Sequence, residues 1–253
     1  MCNAIKTMAT LLLTVISASA AASVSDVRQM IKNADDYRQG YLAAKVVSQV
    51  SLFENDELDK TRQYHVYTRP NRESLVVFKS QVEAGQKMLM LGDNYWLLMP
   101  KSRRPIRITP MQKLLGEASI GDISTLTWSQ DYQGEWKATE TVSVNGESVA
   151  AYHLALTAKT KGASYQKIDL WLSEQDAFPI KADLYLRSGK LAKQAQYGRA
   201  TDNGEDYVSE MTLLDSIQPS KKTVIEYQEI VPWQLDNKFY NPSYLPKANT
   251  TQL

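Results

Sequence analysis

Chemistry needs reactive or ligating side chains at set spacings, and this chain offers few of them. Its two histidines, His65 and His153, stand apart in strand-like sequence with no carboxylate at metal-ligand spacing. The single cysteine, Cys2, lies at the extreme N-terminus. No metal centre is expected from such a set. Gly116-Glu117-Ala118-Ser119-Ile120-Gly121-Asp122 approaches a serine nucleophile elbow, but Glu117 stands where G-x-S-x-G requires its first glycine. A structural loop is the better reading. Glu117, Asp122 and Asp131 cluster in sequence, yet nothing sets two of them across a substrate, as glycoside hydrolysis requires. There is no glycine-rich phosphate loop or dinucleotide fingerprint. The inventory points to binding without a cofactor, not to catalysis.

One stretch does stand out. Tyr95 to Pro110 reads YWLLMPKSRRPIRITP, large apolar residues running into one Lys and three Arg. A nucleic-acid binder usually carries a basic excess across the domain. Here Lys6 is one of 29 basic residues, so without it 28 basic face 28 acidic residues, a formal net of zero. Nucleic acid is therefore not an expected partner, and the basic group is a local feature.

The N-terminus suggests export. One Lys, the apolar run MATLLLTVISA and small residues through Ala20 and Ala22 form a signal-peptide pattern over residues 1–22. The run is too short to span a bilayer, which takes about 20 residues. Cleavage after Ala20 or Ala22 leaves 233 or 231 of the 253 residues. Cys2 departs with that segment, so no disulfide is expected in the remaining domain, residues 23–253. A soluble periplasmic protein that is not an integral membrane protein is the expectation.

The elements that would position a site are mostly strands. Val27, Met30, Ile31 and Ala34 mark one face of a helix that Gly40 ends. Strands are expected at 42–53, 62–69, 74–80, 87–91, 95–99, 105–109, 136–144, 147–158, 165–172, 179–187, 190–198, 206–214 and 223–230. Gly92-Asp93-Asn94 and Asn145-Gly146 sit at tight turns. Tight turns between consecutive strands mean antiparallel pairing, and so many strands tend to curl. Ile168, Leu170 and Leu172 share one face, as do Ile180, Ala182, Leu184 and Leu186, while charged and aromatic residues take the other. An aliphatic concave side could enclose a hollow, or a filled core; the pattern alone permits both.

Residues Gly92 to Tyr132 carry a resemblance. Trp96, Pro100, Arg103, Arg104, Arg107 and Ile108, then Gly116, Ser119, Gly121 and Asp122, then Asp131-Tyr132, resemble an uncharacterised periplasmic branch of the LolA-like outer-membrane lipoprotein-sorting family. Leu170-Trp171-Leu172, Phe178 to Ala182, Ser188-Gly189-Lys190 and Phe239 to Leu245 extend the likeness over essentially the whole chain after residue 22. The resemblance implies a mainly β fold: an incomplete, strongly curved antiparallel β-barrel with an N-terminal amphipathic helix and short helices packed in its concavity. It also implies a non-enzymatic carrier of acylated lipoprotein or another lipid. Such a carrier works between an inner-membrane transporter and an outer-membrane acceptor.

The candidate cavity residues are Met88, Met90, Trp96, Leu98, Leu170, Leu172, Leu184 and Leu186. Leu89, Leu91 and Leu97 could equally face inward, because that hairpin is apolar on both faces. Arg103, Arg104 and Arg107 are the candidate rim, docking on an acidic partner or an anionic headgroup. A sensory or regulatory binding domain of the cell envelope on the same fold is the alternative function.

Overall fold

The structure, a computed structural model, describes residues 24–110, 112, 120–124, 127–144, 146–249 and 253. The expected export signal at 1–22, the residues Gly116, Glu117 and Ser119, and Asn145 of the expected hairpin lie outside the described residues. Among the described residues, no helix is long and apolar enough to cross a membrane.

Helix α1 (Val24–Gln39) carries Asp26 in its first turn and Arg38 in its last, both favourable to the helix dipole. It stops at Gly40, whose φ of +68° a side chain would resist and whose N–H bonds back to the Asp36 carbonyl. The first six strands follow as a meander: β1 (Ala44–Glu54), β2 (Glu57–Arg69), β3 (Glu73–Phe78), β4 (Lys87–Leu91), β5 (Asn94–Leu98) and β6 (Ile106–Ile108). A short helix α2 (Ile120–Ser124) lies in the connector to the second meander. That meander comprises β7 (Tyr132–Val144), β8 (Glu147–Ala158), β9 (Lys167–Ser173), β10 (Pro179–Tyr185), β11 (Leu191–Asp202), β12 (Glu205–Asp215) and β13 (Lys221–Pro232).

All the strands join one antiparallel sheet in the order β6-β5-β4-β3-β2-β1-β13-β12-β11-β10-β9-β8-β7. The two meanders meet through β1 and β13, with Ala44 opposite Pro232 and Glu54 opposite Lys221. The outer edges are β6 and β7, and no ladder joins them. This corrects the expected incomplete, strongly curved barrel. The sheet is open with two free edges, neither closed nor strongly curled, and its helices lie on one face of it. Hairpin signals report which strands are neighbours, but sheet shape depends on how the far edges sit, which no local pattern encodes.

The main core lies between one face of the sheet and α1. Val46, Val66, Val76, Met88, Leu154, Leu170 and Leu172 are buried there, below Val27, Ile31 and Ala34 of the helix. The helix comes close because β7 offers Gly134: a Cβ at that position would lie 2.5 Å from Ile31 and 2.9 Å from Val27. The opposite face is covered over β2–β5. Leu235, Tyr240 and Leu245 pack on Tyr67, Leu75, Val77, Leu89 and Leu98. Lys87, also buried, donates to the carbonyls of Leu245 and Ala248 at 3.2 and 2.6 Å. Strands β4 and β5 are thus covered on both sides, which is why MLML and YWLL read as unbroken apolar runs.

Candidate functional site

Because β6 and β7 are at opposite edges of the sheet, the chain between them must cross from one edge to the other. Its described parts, α2 and residues 127–131, lie on the same face as α1: Ile123 and Trp128 belong to the core that Val27, Ile31 and Ala34 cover. Helix α1 and these described parts of the connector form a cover over the apolar face, and three groups of polar contacts hold it.

The first group joins the two parts of the cover. Asp35 of α1 is 4% exposed and accepts hydrogen bonds from the backbone N–H groups of Trp128 and Ser129, at 2.5 and 2.8 Å. Burial pushes its carboxyl up to about 6, against the opposing pull of those donors and of Arg38. Arg38, also 4% exposed, lies 4.0 Å above the Trp128 ring and 5.7 Å from that of Tyr197 on β11. Both distances are within cation–π range.

The second group pins α2 to the sheet. Asp122 accepts from Lys193 Nζ of β11 at 2.5 Å and from the Tyr165 hydroxyl at 2.7 Å. The buried Tyr165 hydroxyl is held well above its ordinary range by desolvation and by the Asp122 charge. Tyr132 closes the group, donating to the Tyr165 carbonyl at 3.1 Å and accepting from its N–H at 3.2 Å.

The third group gathers residues from opposite halves of the sheet. Arg72, between β2 and β3, bonds Asp93 at 2.8 Å and the buried Asp131 at 2.7 Å. Asp131 also accepts from Thr160. Asp93 accepts from the Gly162 N–H at 2.9 Å, and the Tyr95 hydroxyl donates to the Gly162 carbonyl at 2.6 Å. Side chains connect the two meanders here, where no strand pairing does.

Little space remains beneath the cover. A void of about 30 Å³ lies among Arg38, Asp122, Trp128, Tyr165, Leu184 and Tyr197. Another of about 20 Å³ lies among Thr68, Arg72, Ser74, Met90 and Asp131. Each has room for about one water molecule. Outside the cover, a groove of about 460 Å³ runs between the end of α1, Tyr41, Leu42, Arg69, Thr127, Ser129 and Gln130. Among the described residues no group of three or more His, Cys, Asp or Glu side chains is placed to hold a metal ion.

A protein-family model described as "Uncharacterized protein" matches residues 70–247, more than half of the chain. The chain belongs to that family. It is also a structural homologue of a LolA superfamily protein from Nitrosomonas europaea, at TM-score 0.75 and 26% identity over 86% of this chain and 98% of that one. Two other solved structures share the fold. A DUF1329 family protein from Desulfovibrio piger superposes at TM-score 0.69 and 19% identity, covering 88% of this chain and 98% of its own. A domain from Vibrio parahaemolyticus, provisionally named an outer membrane lipoprotein-sorting protein, gives 0.68 and 17%, covering 88% and 100%. No curated protein matches the chain.

Within this fold, the residues singled out from sequence divide between the two faces. Met88, Met90, Leu170, Leu172 and Leu184 are buried under the cover, and Leu186 packs against that cluster. Trp96 and Leu98 lie on the opposite face, beneath the C-terminal segment. The ambiguous leucines divide likewise: Leu97 packs against the covered core, whereas Leu89 and Leu91 belong to the opposite face. Arg103 and Arg104 are exposed between β5 and β6. Arg107, on β6, donates to Asn94 and lies 5.9 Å from the Trp96 ring.

Asp122 and Asp131, which looked scattered in sequence, are buried members of the polar groups that hold the cover. His153 has carboxylates of Glu140 and Asp169 at 3.4 Å on either side and stacks on Trp171 at 4.4 Å. These neighbours come from adjacent strands, so spacing along the chain could not show them. Sequence reading missed Asp35 and Arg38. For Arg38 there was a signal: positions 27, 31, 34 and 38 form one helical stripe, and a cation ending it marks a buried charge.

Proposed function

We propose that this chain is a non-catalytic periplasmic carrier that takes the acyl chains of a lipoprotein, or of another lipid, between the sheet and its cover. Residues 1–22 serve as its cleaved export signal. One observation carries the reading: an apolar sheet face lies under a helix and connector that polar groups fasten at a few points. The homology to a LolA superfamily protein supports it, as does the name of the V. parahaemolyticus relative.

The energetics suit a cover that lifts. Each buried methylene contributes about 0.8 kcal/mol, so a long acyl chain leaves water with a gain on the order of 10 kcal/mol. The described voids are far too small for such a chain, so this form corresponds to the closed carrier. Loading displaces the cover and exchanges its contacts with Met88, Leu170, Leu172 and Leu184 for contacts with lipid. The polar groups make the exchange reversible, because their donors and acceptors find water when the cover lifts. The chain would receive cargo from an inner-membrane transporter and yield it to an outer-membrane acceptor.

Native mass spectrometry of protein purified from periplasm tests the reading. Acyl-bearing molecules should appear in stoichiometric amounts, and a fluorescent fatty acid should be displaced by them. Ligand-free spectra together with no fatty-acid binding would overturn it.

A further inference from the structure

We propose that the tip between β5 and β6 docks the protein onto the surface of an anionic lipid bilayer. Between Asn94 and Pro110 the chain carries Lys101, Arg103, Arg104 and Arg107 and no Asp or Glu. All four cations are exposed. Lys101, Arg103 and Arg104 make no ion pair among the described residues. Glu83, in the 3-10 turn Gln81–Glu83 beside the tip, is already engaged with Arg62 at 3.5 Å. In a domain of balanced charge, this concentration of cations at one edge is a local field directed outward.

Apolar side chains share the tip. Met99 is 46% exposed and Ile106 56%, bracketing the basic run on either side. The 3-10 turn Gln81–Glu83 adds Val82 at 74%. That turn lies beside the tip, since a Cβ on Gly85 would be 3.9 Å from Pro100. Single exposed aliphatic residues mean little. Three of them at the same end as Lys101, Arg103 and Arg104 match an interfacial surface, where hydrocarbon enters the headgroup layer and Arg or Lys contact phosphate. An acidic protein partner would use the cations but give Met99 and Ile106 nothing in particular to contact.

The tip is also braced. Pro100 and Pro105 restrict the backbone, the Ser102 N–H bonds the Met99 carbonyl at 3.0 Å, and its hydroxyl bonds the Arg104 carbonyl at 2.9 Å. A preset loop loses little entropy on docking.

This inference stands apart from cargo binding, and its test uses empty vesicles. The full chain is sedimented with vesicles of phosphatidylcholine, and with vesicles of phosphatidylcholine mixed with phosphatidylglycerol. Binding is expected only to the mixed vesicles and should weaken with salt. Each positive charge lost should cost about fivefold. Arg103→Glu/Arg104→Glu should therefore bind at least about twenty-five-fold more weakly. Met99→Ser/Ile106→Ser should weaken binding and remove its salt-resistant part. These side chains are exposed, so folding is checked simply by the denaturant midpoint. Equal partition to both vesicle types, or wild-type binding by both variants, would overturn the proposal. So would the absence of binding to either vesicle type, which would leave the cations to an acidic protein.

Discussion

The carboxylate of Asp35 caps the backbone N–H groups of Trp128 and Ser129 across 93 and 94 residues of chain, joining α1 to the connector that shares its face of the sheet. This contact makes the two parts of the cover one unit, and it titrates. The folded carboxyl lies at about 6 against an ordinary 3.8, because burial opposes its charge. As pH falls, the folded state therefore takes up this proton before the unfolded chain does, and stability from the group rises between about pH 6 and pH 4. Wild type should gain on the order of 3 kcal/mol relative to Asp35→Asn on going from neutral pH to about pH 4. Urea denaturation at a series of pH values measures this. Parallel curves for the two proteins would refute it.

The Asp122–Lys193 contact should behave as a buried pair, since side-chain exposures are 4% and 15%. Asp122→Asn leaves the lysine with a weaker partner and should cost about 3 kcal/mol. Asp122→Asn/Lys193→Met removes the stranded charge and should recover much of that loss. Thermal unfolding of the three variants decides between this coupling and simple additivity.

Gly134 sets how closely α1 approaches β7. Gly134→Val should push the helix away from the sheet and cost about 1–3 kcal/mol through overpacking. The change should also speed proteolysis within α1 and raise binding of a hydrophobic dye. A variant as resistant to protease as wild type would show that the helix is not held at this point.

The division of faces predicts a division of effects. Leu170→Ala and Leu98→Ala remove comparable buried side chains, and each should destabilise by about 2–5 kcal/mol. Only Leu170→Ala, on the covered face, should weaken fatty-acid binding. Equal losses from both would detach the acyl site from the cover.

Much of this architecture is legible along the chain. Thirteen strands, their antiparallel order within each meander and α1 follow from alternation, tight turns and one helical stripe. The pairing of β1 with β13 does not follow, because its partners are separated by most of the chain and no turn connects them. Nor does the orientation of β4 and β5: Met88 and Leu89 are equally apolar, and only the C-terminal segment shows why both faces are covered. That segment, Trp233 onward, lacks any period, since its 3-10 turn and irregular backbone place Leu235, Tyr240 and Leu245 by tertiary contact. The polar groups were the least legible. Asp122, Asp131 and Asp35 are ordinary surface-type residues until partners distant in sequence bury them.

The junction at β1 and β13 bears on how the molecule assembles. Each meander is a series of hairpins between neighbouring strands, a topology that zips up quickly from local turns. The seam between them is the step with the greatest loop-closure cost, and it comes at the middle of the finished sheet rather than at its rim. A newly made chain would thus hold its first half with the inner margin of β1 unpaired until the final strand emerges. During that interval the half-made protein depends on whatever accompanies it to keep that margin from sticking to another.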